Sequence, residues 1–144
     1  MAIQGVPSGG FTKIGQIVGT NNMLFQPGQT GLAVAVELLS SHSLGAPVVD
    51  RKGQFVGYIS EFDVLNAIDS GKDLAKVRAE ELMNKTPIAV KDSTGLDEAI
   101  KLMQDRHLLN LPVEKEGKVA YSITRHDLLR AKIGLGLDIE DVVT

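Results

Sequence analysis

A chain of 144 residues buries roughly two-thirds of the surface it exposes when unfolded, enough for one compact domain or two very small ones. With no cysteine, the chain cannot form disulfides, thiolate metal sites or a cysteine nucleophile, a composition that fits an intracellular protein. A net charge of −3 and 4% aromatic residues speak against a basic, ring-lined nucleic-acid surface.

Residues 1–36 carry one side-chain charge, Lys13, but glycines, Pro7, Pro27, Asn21 and Asn22 interrupt them, so they read as neither signal peptide nor membrane span. The expectation is a cytoplasmic protein without membrane insertion. A short lead-in strand at 23–25 precedes Thr30-Gly31-Leu32. From there Leu32, Ala35, Val36 and Leu39 follow the i, i+3, i+4, i+7 spacing of an amphipathic helix with a threonine at its start. Ala46-Pro47-Val48-Val49-Asp50 predicts a strand, Arg51-Lys52-Gly53 a hairpin turn, and 55–59 the returning strand. A helix over 63–68 follows, with Gly71 as its stop. Residues 71–84 read as a connector holding the charged run 72–78 and one helical turn, Glu80-Glu81-Leu82-Met83.

The pattern then repeats. A lead-in strand at 88–90 precedes Thr94-Gly95-Leu96, and Leu96, Ala99, Ile100 and Met103 lie 64 positions beyond the first apolar set. Leu111-Pro112-Val113-Glu114, the turn Glu116-Gly117, a strand over 119–123 and a helix over 127–133 stopped by Gly134 complete the second copy. Each half therefore reads strand, helix, strand, strand, helix. A small sheet with helices on one face leaves its other apolar surface bare, which two such halves packed together would cover.

The most chemically suggestive phrase also occurs twice: Ser60-x-x-Asp63 within GYISEFDVL and Thr124-x-x-Asp127 within AYSITRHDLL. In one reading each is a capping box, hydroxyl and carboxylate serving the helix's own free N–H groups. In the other, each carboxylate accepts from the neighbouring hydroxyls of a ribose while the helix start favours a nearby phosphate. The two roles are compatible.

The doubled frame, carried by APVVDRKGQFVGYISEFDVL, TPIAVKDSTGLDEAIKLM and NLPVEKEGKVAYSITRHDLL, resembles the tandem cystathionine-β-synthase (CBS) domain pair, or Bateman module, over about residues 15–134. The resemblance implies an α/β fold of two β-α-β-β-α CBS repeats packed with pseudo-twofold symmetry into one module. The matching divisions are an N-terminal segment 1–14, repeat 1 at 15–71, linker and repeat 2 at 72–134, and an acidic tail at 135–144. It further implies a regulatory rather than catalytic protein in an energy-sensing role, commonly a homodimer, binding AMP, ADP, ATP or S-adenosylmethionine and acting on a separate protein partner. No cofactor is required on this view. Carried across residue by residue, Thr124, His126 and Asp127 would face Thr20, Leu44, Gly45 and Ala46, and Ser60 and Asp63 would face Thr86, Pro87, Ile88, Asn110 and Leu111.

The halves differ in charge. Arg125, His126 and Arg130 around Asp127 would offset a phosphate, whereas Glu61 beside Asp63 would repel one, so the Asp127 side is expected to take the phosphorylated ligand and the Asp63 side to be empty or to take an uncharged adenosyl group. Where some relatives carry histidine and arginine before the proline, this chain has Leu44-Gly45 and Leu109-Asn110, which argues against triphosphate selectivity. Tyr121, in the place matching Gly57, would narrow or line a pocket. The chain has no P-loop, HExxH or GxSxG, and His42, His107 and His126 show no metal-ligand spacing. His107 and Arg106 read as cations at a helix C-terminus, Met83 and Met103 as core, and Asp138, Glu140 and Asp141 as a solvated tail. The alternative to ligand sensing is a ligand-free dimerisation or docking scaffold whose S/T-x-x-D phrases serve only as caps.

Overall fold

The computed structural model describes residues 6, 9–17, 19, 21–86 and 88–134. Thr20, Pro87 and the tail at 135–144 lie outside the described residues. The chain divides into two compact units, which do not coincide with the two copies of the sequence pattern. One unit comprises the described residues of Met1–Asn22, Ala89–Lys115 and Ala120–Thr144, and the other Met23–Ile88 with Glu116–Val119.

In the second of these, α1 (Gly31–Ser41) leads to β1 (Gly45–Val49), which pairs antiparallel with β2 (Phe55–Ser60) with Gly45 opposite Ser60. The helices α2 (Glu61–Asp69) and α3 (Ala79–Leu82) follow. The lead-in strand expected at 23–25 shrinks to a parallel bridge between Phe25 and Val48, although Phe25 still bonds to Pro47 O and Val49 N like a strand residue. Phe25, Val34, Leu38, Val48, Ile59 and Val64 form the heart of this core.

In the other unit, β3 (Val90–Lys91) runs parallel to β4 (Asn110–Lys115), and β5 (Lys118–Thr124) completes a sheet of order β3-β4-β5, with α4 (Leu96–Arg106) and α5 (Arg125–Lys132). Ile14, Leu96, Met103, Leu111, Val113, Ile123 and Leu128 are buried here.

The connecting segments explain the mixed membership of the units. A helix start leaves four N–H groups without intrahelical partners. At α1, Gly31 and Leu32 donate to Val77 O and Leu74 O, so the connector that precedes the second repeat covers the first repeat's helix. At α4, Leu96 donates to Thr12 O, and Ile14 and Gly15 donate to Thr94 O and Asp92 O, so the segment that precedes the first repeat covers the second repeat's helix. This alters one expectation. Thr30 caps α1 as the sequence suggests, accepting from Ala33 N, but α4 is capped by Gly95, while Thr94 Oγ1 accepts from Lys91 N.

The helix ends follow their glycines. Gly71 is left-handed at φ 87°, with Gly71 N donating to Ile68 O and Lys72 N to Ala67 O, the paired bonds of a Schellman motif. Gly134 takes φ 80° after α5. In α1 and α4 a histidine does the same work: His42 and His107 adopt φ 55° and 52°.

The apolar stripe of α1 does not all turn inward. Val34 and Leu38 are buried, whereas Leu32, Val36 and Leu39 of the expected stripe are exposed. The matching stripe in α4 behaves as expected, with Leu96, Ala99 and Met103 buried. Because α1 is apolar around most of its circumference, it has a second apolar face that its own unit does not cover.

Candidate functional site

Both S/T-x-x-D phrases fold as capping boxes at the junction of a β-strand and a helix. At the start of α2, Asp63 N–H donates to Ser60 Oγ (3.3 Å), and Asp63 Oδ2 accepts from Ser60 N–H (2.7 Å) and from the Ser60 hydroxyl (3.1 Å). At the start of α5, Asp127 N–H donates to Thr124 Oγ1 (3.1 Å), and Asp127 Oδ2 accepts from Thr124 N–H (3.0 Å). The strand delivers the hydroxyl residue in an extended conformation, the helix begins at the next residue, and the aspartate at its third position reaches back.

The two starts differ in what surrounds the carboxylate. Asp127 is 0% exposed, and its Oδ1 accepts from Arg130 Nη2 at 3.0 Å, with Arg130 itself 8% exposed. Arg130, expected to offset a phosphate, is thus committed to Asp127. Arg125 and His126 are exposed on the first turn of α5. Asp63 is half-buried, and all its side-chain hydrogen bonds among the described residues fall on Oδ2.

The remaining candidates sort by unit. Glu61 N–H donates to Leu44 O (3.1 Å), and Gly45 and Ala46 pair with Ser60 and Ile59, so Leu44, Gly45 and Ala46 sit beside the Ser60–Asp63 start. Gly45 has no room for a side chain, since a Cβ there would come 2.5 Å from the Tyr58 hydroxyl. Thr86 and Ile88 belong to the same unit, Thr86 donating through both N–H and hydroxyl to Asn84 Oδ1. Asn110 and Leu111 are buried in the unit that carries Thr124, Arg125, His126 and Asp127.

A cavity of about 630 Å³ lies against α4 and α5, lined by Met103, His107, Leu109, Arg125, Leu129 and Lys132 among others. Of the residues singled out from sequence for ligand contact, only Arg125 lines it. Its apolar floor combines residues of two helices that are not close in sequence, so no local motif marks it. Among the described residues, no group of three or more His, Cys, Asp or Glu side chains could hold a metal ion, and no helix is long and apolar enough to cross a membrane.

Tyr121 on β5 packs its ring against Gly19, and its hydroxyl is buried with no hydrogen-bond partner among the described residues. Burial, and secondarily the negative charge of Asp92, raise the phenol above its ordinary value near 10. An acid whose folded-state pKa is raised contributes stability that is fully present below the unfolded value and lost as pH rises through the folded one. Chemical denaturation from pH 8 to 11 should therefore show the native protein weakening above about pH 10 more steeply than Tyr121→Phe. Parallel pH profiles would contradict this.

Two small α/β units, each with one copy of the hydroxyl–aspartate helix start, define a tandem α/β repeat protein. Residues 14–70 and 79–134 each match the CBS domain family, and the chain belongs to that family. It is 35% identical over 112 residues to a CBS domain-containing protein of Dictyostelium discoideum, covering 69% of this chain and 77% of that one. Among solved structures it is similar to CBSX2 in complex with AMP (TM-score 0.75, 27% identity, 86% of this chain and 97% of that one). It is also similar to the cytosolic domain of the Mg2+ channel MgtE in complex with ATP (TM-score 0.69, 27% identity, 82% and 48%).

Proposed function

We propose that this chain is a regulatory module that binds an adenosine-containing ligand and passes the resulting change to a separate protein. The observation that carries the reading is the pair of aspartates, Asp63 and Asp127, each held by its capping box in the first turn of a helix. There a carboxylate accepts from ribose hydroxyls, and the helix start favours a phosphate. The AMP and ATP complexes of structurally similar proteins support adenylates as the ligand class. AMP, ADP, ATP and S-adenosylmethionine all present the ribose that this chemistry recognises. Of the residues named from sequence, Ser60, Asp63, Thr86 and Ile88 make up one candidate position for the ligand and Thr124, Arg125, His126 and Asp127 the other. Regulation is favoured over catalysis because the sequence carries no P-loop, HExxH or GxSxG motif and, among the described residues, no cluster of His, Cys, Asp or Glu suited to a metal ion accompanies these carboxylates.

A thermal-shift panel of the four compounds, followed by calorimetry, tests the reading, since a ligand bound only by the folded state raises the melting temperature. An adenylate that shifts the melt and binds saturably upholds it. A flat panel with no heat of binding favours the second reading, a ligand-free dimerisation or docking scaffold. That reading draws on the capping bonds, which already give each carboxylate a structural task.

Self-association belongs to both readings. Leu39 is 70% and Phe62 73% exposed on α1 and α2, which pack side by side, and Leu32, Val36, Leu65 and Ile68 extend the same exposed apolar surface. A patch of this kind on adjacent helices marks an interaction site, and a homodimer is the partner proposed here. Leu39→Glu or Phe62→Glu should shift the protein from dimer to monomer in sedimentation at fixed concentration. A wild type that sediments as a monomer would remove the homodimer.

A further inference from the structure

We infer that Arg130 is an internal latch closing the second helix start to an adenosyl ligand, so that each chain offers one open site, built on Ser60 and Asp63. The inference rests on the adenosyl-binding reading above and assigns the ligand to one of its two candidate positions. The helix starts share their strand–helix junction, hydroxyl residue and capping geometry. What separates them is the carboxylate oxygen that the cap does not use.

At Asp127 that oxygen is taken. Oδ2 serves the Thr124 N–H, Oδ1 accepts from Arg130 at 3.0 Å, and the carboxylate has no exposed surface. A ribose binding there would have to displace a buried guanidinium that has no other hydrogen-bond partner among the described residues. Breaking a buried ion pair strands a charge away from water, a cost that two sugar hydroxyls do not offset.

At Asp63 the corresponding oxygen is uncommitted, because the cap and the Ser60 hydroxyl both fall on Oδ2. Three residues on, where the second copy has Arg130, the first has Asn66, which is exposed and makes no side-chain hydrogen bond among the described residues. Positions 66 and 130 are 64 apart, the period of the repeat. Of the positions at which α2 and α5 differ, this is the one that reaches the aspartate, and it distinguishes an open carboxylate from a closed one. Arg130 acts through Asp127 as a positioning residue.

The exchange of these two residues supplies the test, with AMP as probe in calorimetry on the full chain. The native protein should bind one AMP per chain. Asn66→Arg, a change at an exposed position, should weaken that binding by roughly tenfold or more by pairing with Asp63 as Arg130 pairs with Asp127. Arg130→Asn should add a second AMP per chain, and Arg130→Lys, which keeps a cation within reach of Asp127, should hold the count at one. Arg130→Ala serves in place of Arg130→Asn if the latter melts below the assay temperature. Two AMP per native chain, or a count unchanged by removing Arg130 together with full affinity in Asn66→Arg, would overturn the latch while leaving adenylate binding intact. No AMP bound by the native chain or by any variant would overturn the adenylate reading, and the latch with it.

Discussion

Asp127→Ala should destabilise the fold far more than Asp63→Ala, although the two aspartates occupy matching places in the repeat. Removing Asp63 deletes the carboxylate half of one capping box at a half-buried position, a loss of about 1 kcal/mol. Removing Asp127 deletes the same cap and leaves the Arg130 guanidinium, 8% exposed, with no counter-charge. Breaking one side of a buried pair in this way costs about 3–5 kcal/mol. For a chain of this length the difference corresponds to a melting temperature lower by roughly 10 °C or more for Asp127→Ala, against a few degrees for Asp63→Ala. Circular-dichroism melts of both variants at neutral pH measure it, and equal shifts would mean that the Asp127–Arg130 pair contributes no more than an exposed ion pair. Lys132 and Asp97, 2.9 Å apart with both side chains exposed, provide that comparison, and Asp97→Ala should change stability by less than about 1 kcal/mol.

The contrast between the aspartates also shows what could be read from the amino-acid sequence. The hydroxyl caps of α1, α2 and α5, the hairpin turns and the stops at Gly71 and Gly134 follow from short-range rules that place a hydroxyl, a carboxylate or a glycine at a fixed offset, and these are where the structure puts them. The doubled phrase led to the correct family because two weak local signals in the same order restrict the fold more than either alone. Arg130 was visible one turn beyond Asp127, but spacing alone does not say whether a cation points toward a ligand or back onto its own helix. Burial of both groups decides that, and burial is a property of the assembled unit.

Other features depend on chain crossing. Thr94 stands 64 positions after a true cap, yet Gly95 caps α4, because Thr12 from the far end of the sequence supplies a carbonyl to Leu96 N–H. Nothing local to residues 90–100 encodes that partner. The outward stripe Leu32, Val36 and Leu39 is a different case. Periodicity marks these residues as one face of a helix, but Val34 and Leu38 make an equally apolar face, and only the packed core decides which turns inward.

Tyr121, read from sequence as a departure from the first copy's Gly57, is one side of an exchanged pair, and the exchange yields the second large effect. In one unit Gly57 faces Met83, where an added Cβ would lie 2.3 Å from the methionine sulfur; in the other, Tyr121 faces Gly19, where an added Cβ would lie 2.2 Å from the ring. Residues 57 and 121 are 64 apart, and so are 19 and 83, so each unit places one large side chain over one glycine, with the large partner on opposite members of the pair. A side chain at position 19 therefore meets an aromatic ring packed on a strand, which yields less readily than the end of a methionine. Gly19→Met should overpack this contact by about 1–3 kcal/mol, and Tyr121→Gly should lose a comparable or larger amount through the emptied space and the strand glycine. The combination Gly19→Met with Tyr121→Gly recreates the Gly57–Met83 arrangement and should be more stable than the sum of the single changes predicts, by about 1–3 kcal/mol in a double-mutant cycle. Additive losses in urea denaturation would show that the two positions do not exchange volume and that the repeat does not treat these contacts as equivalent.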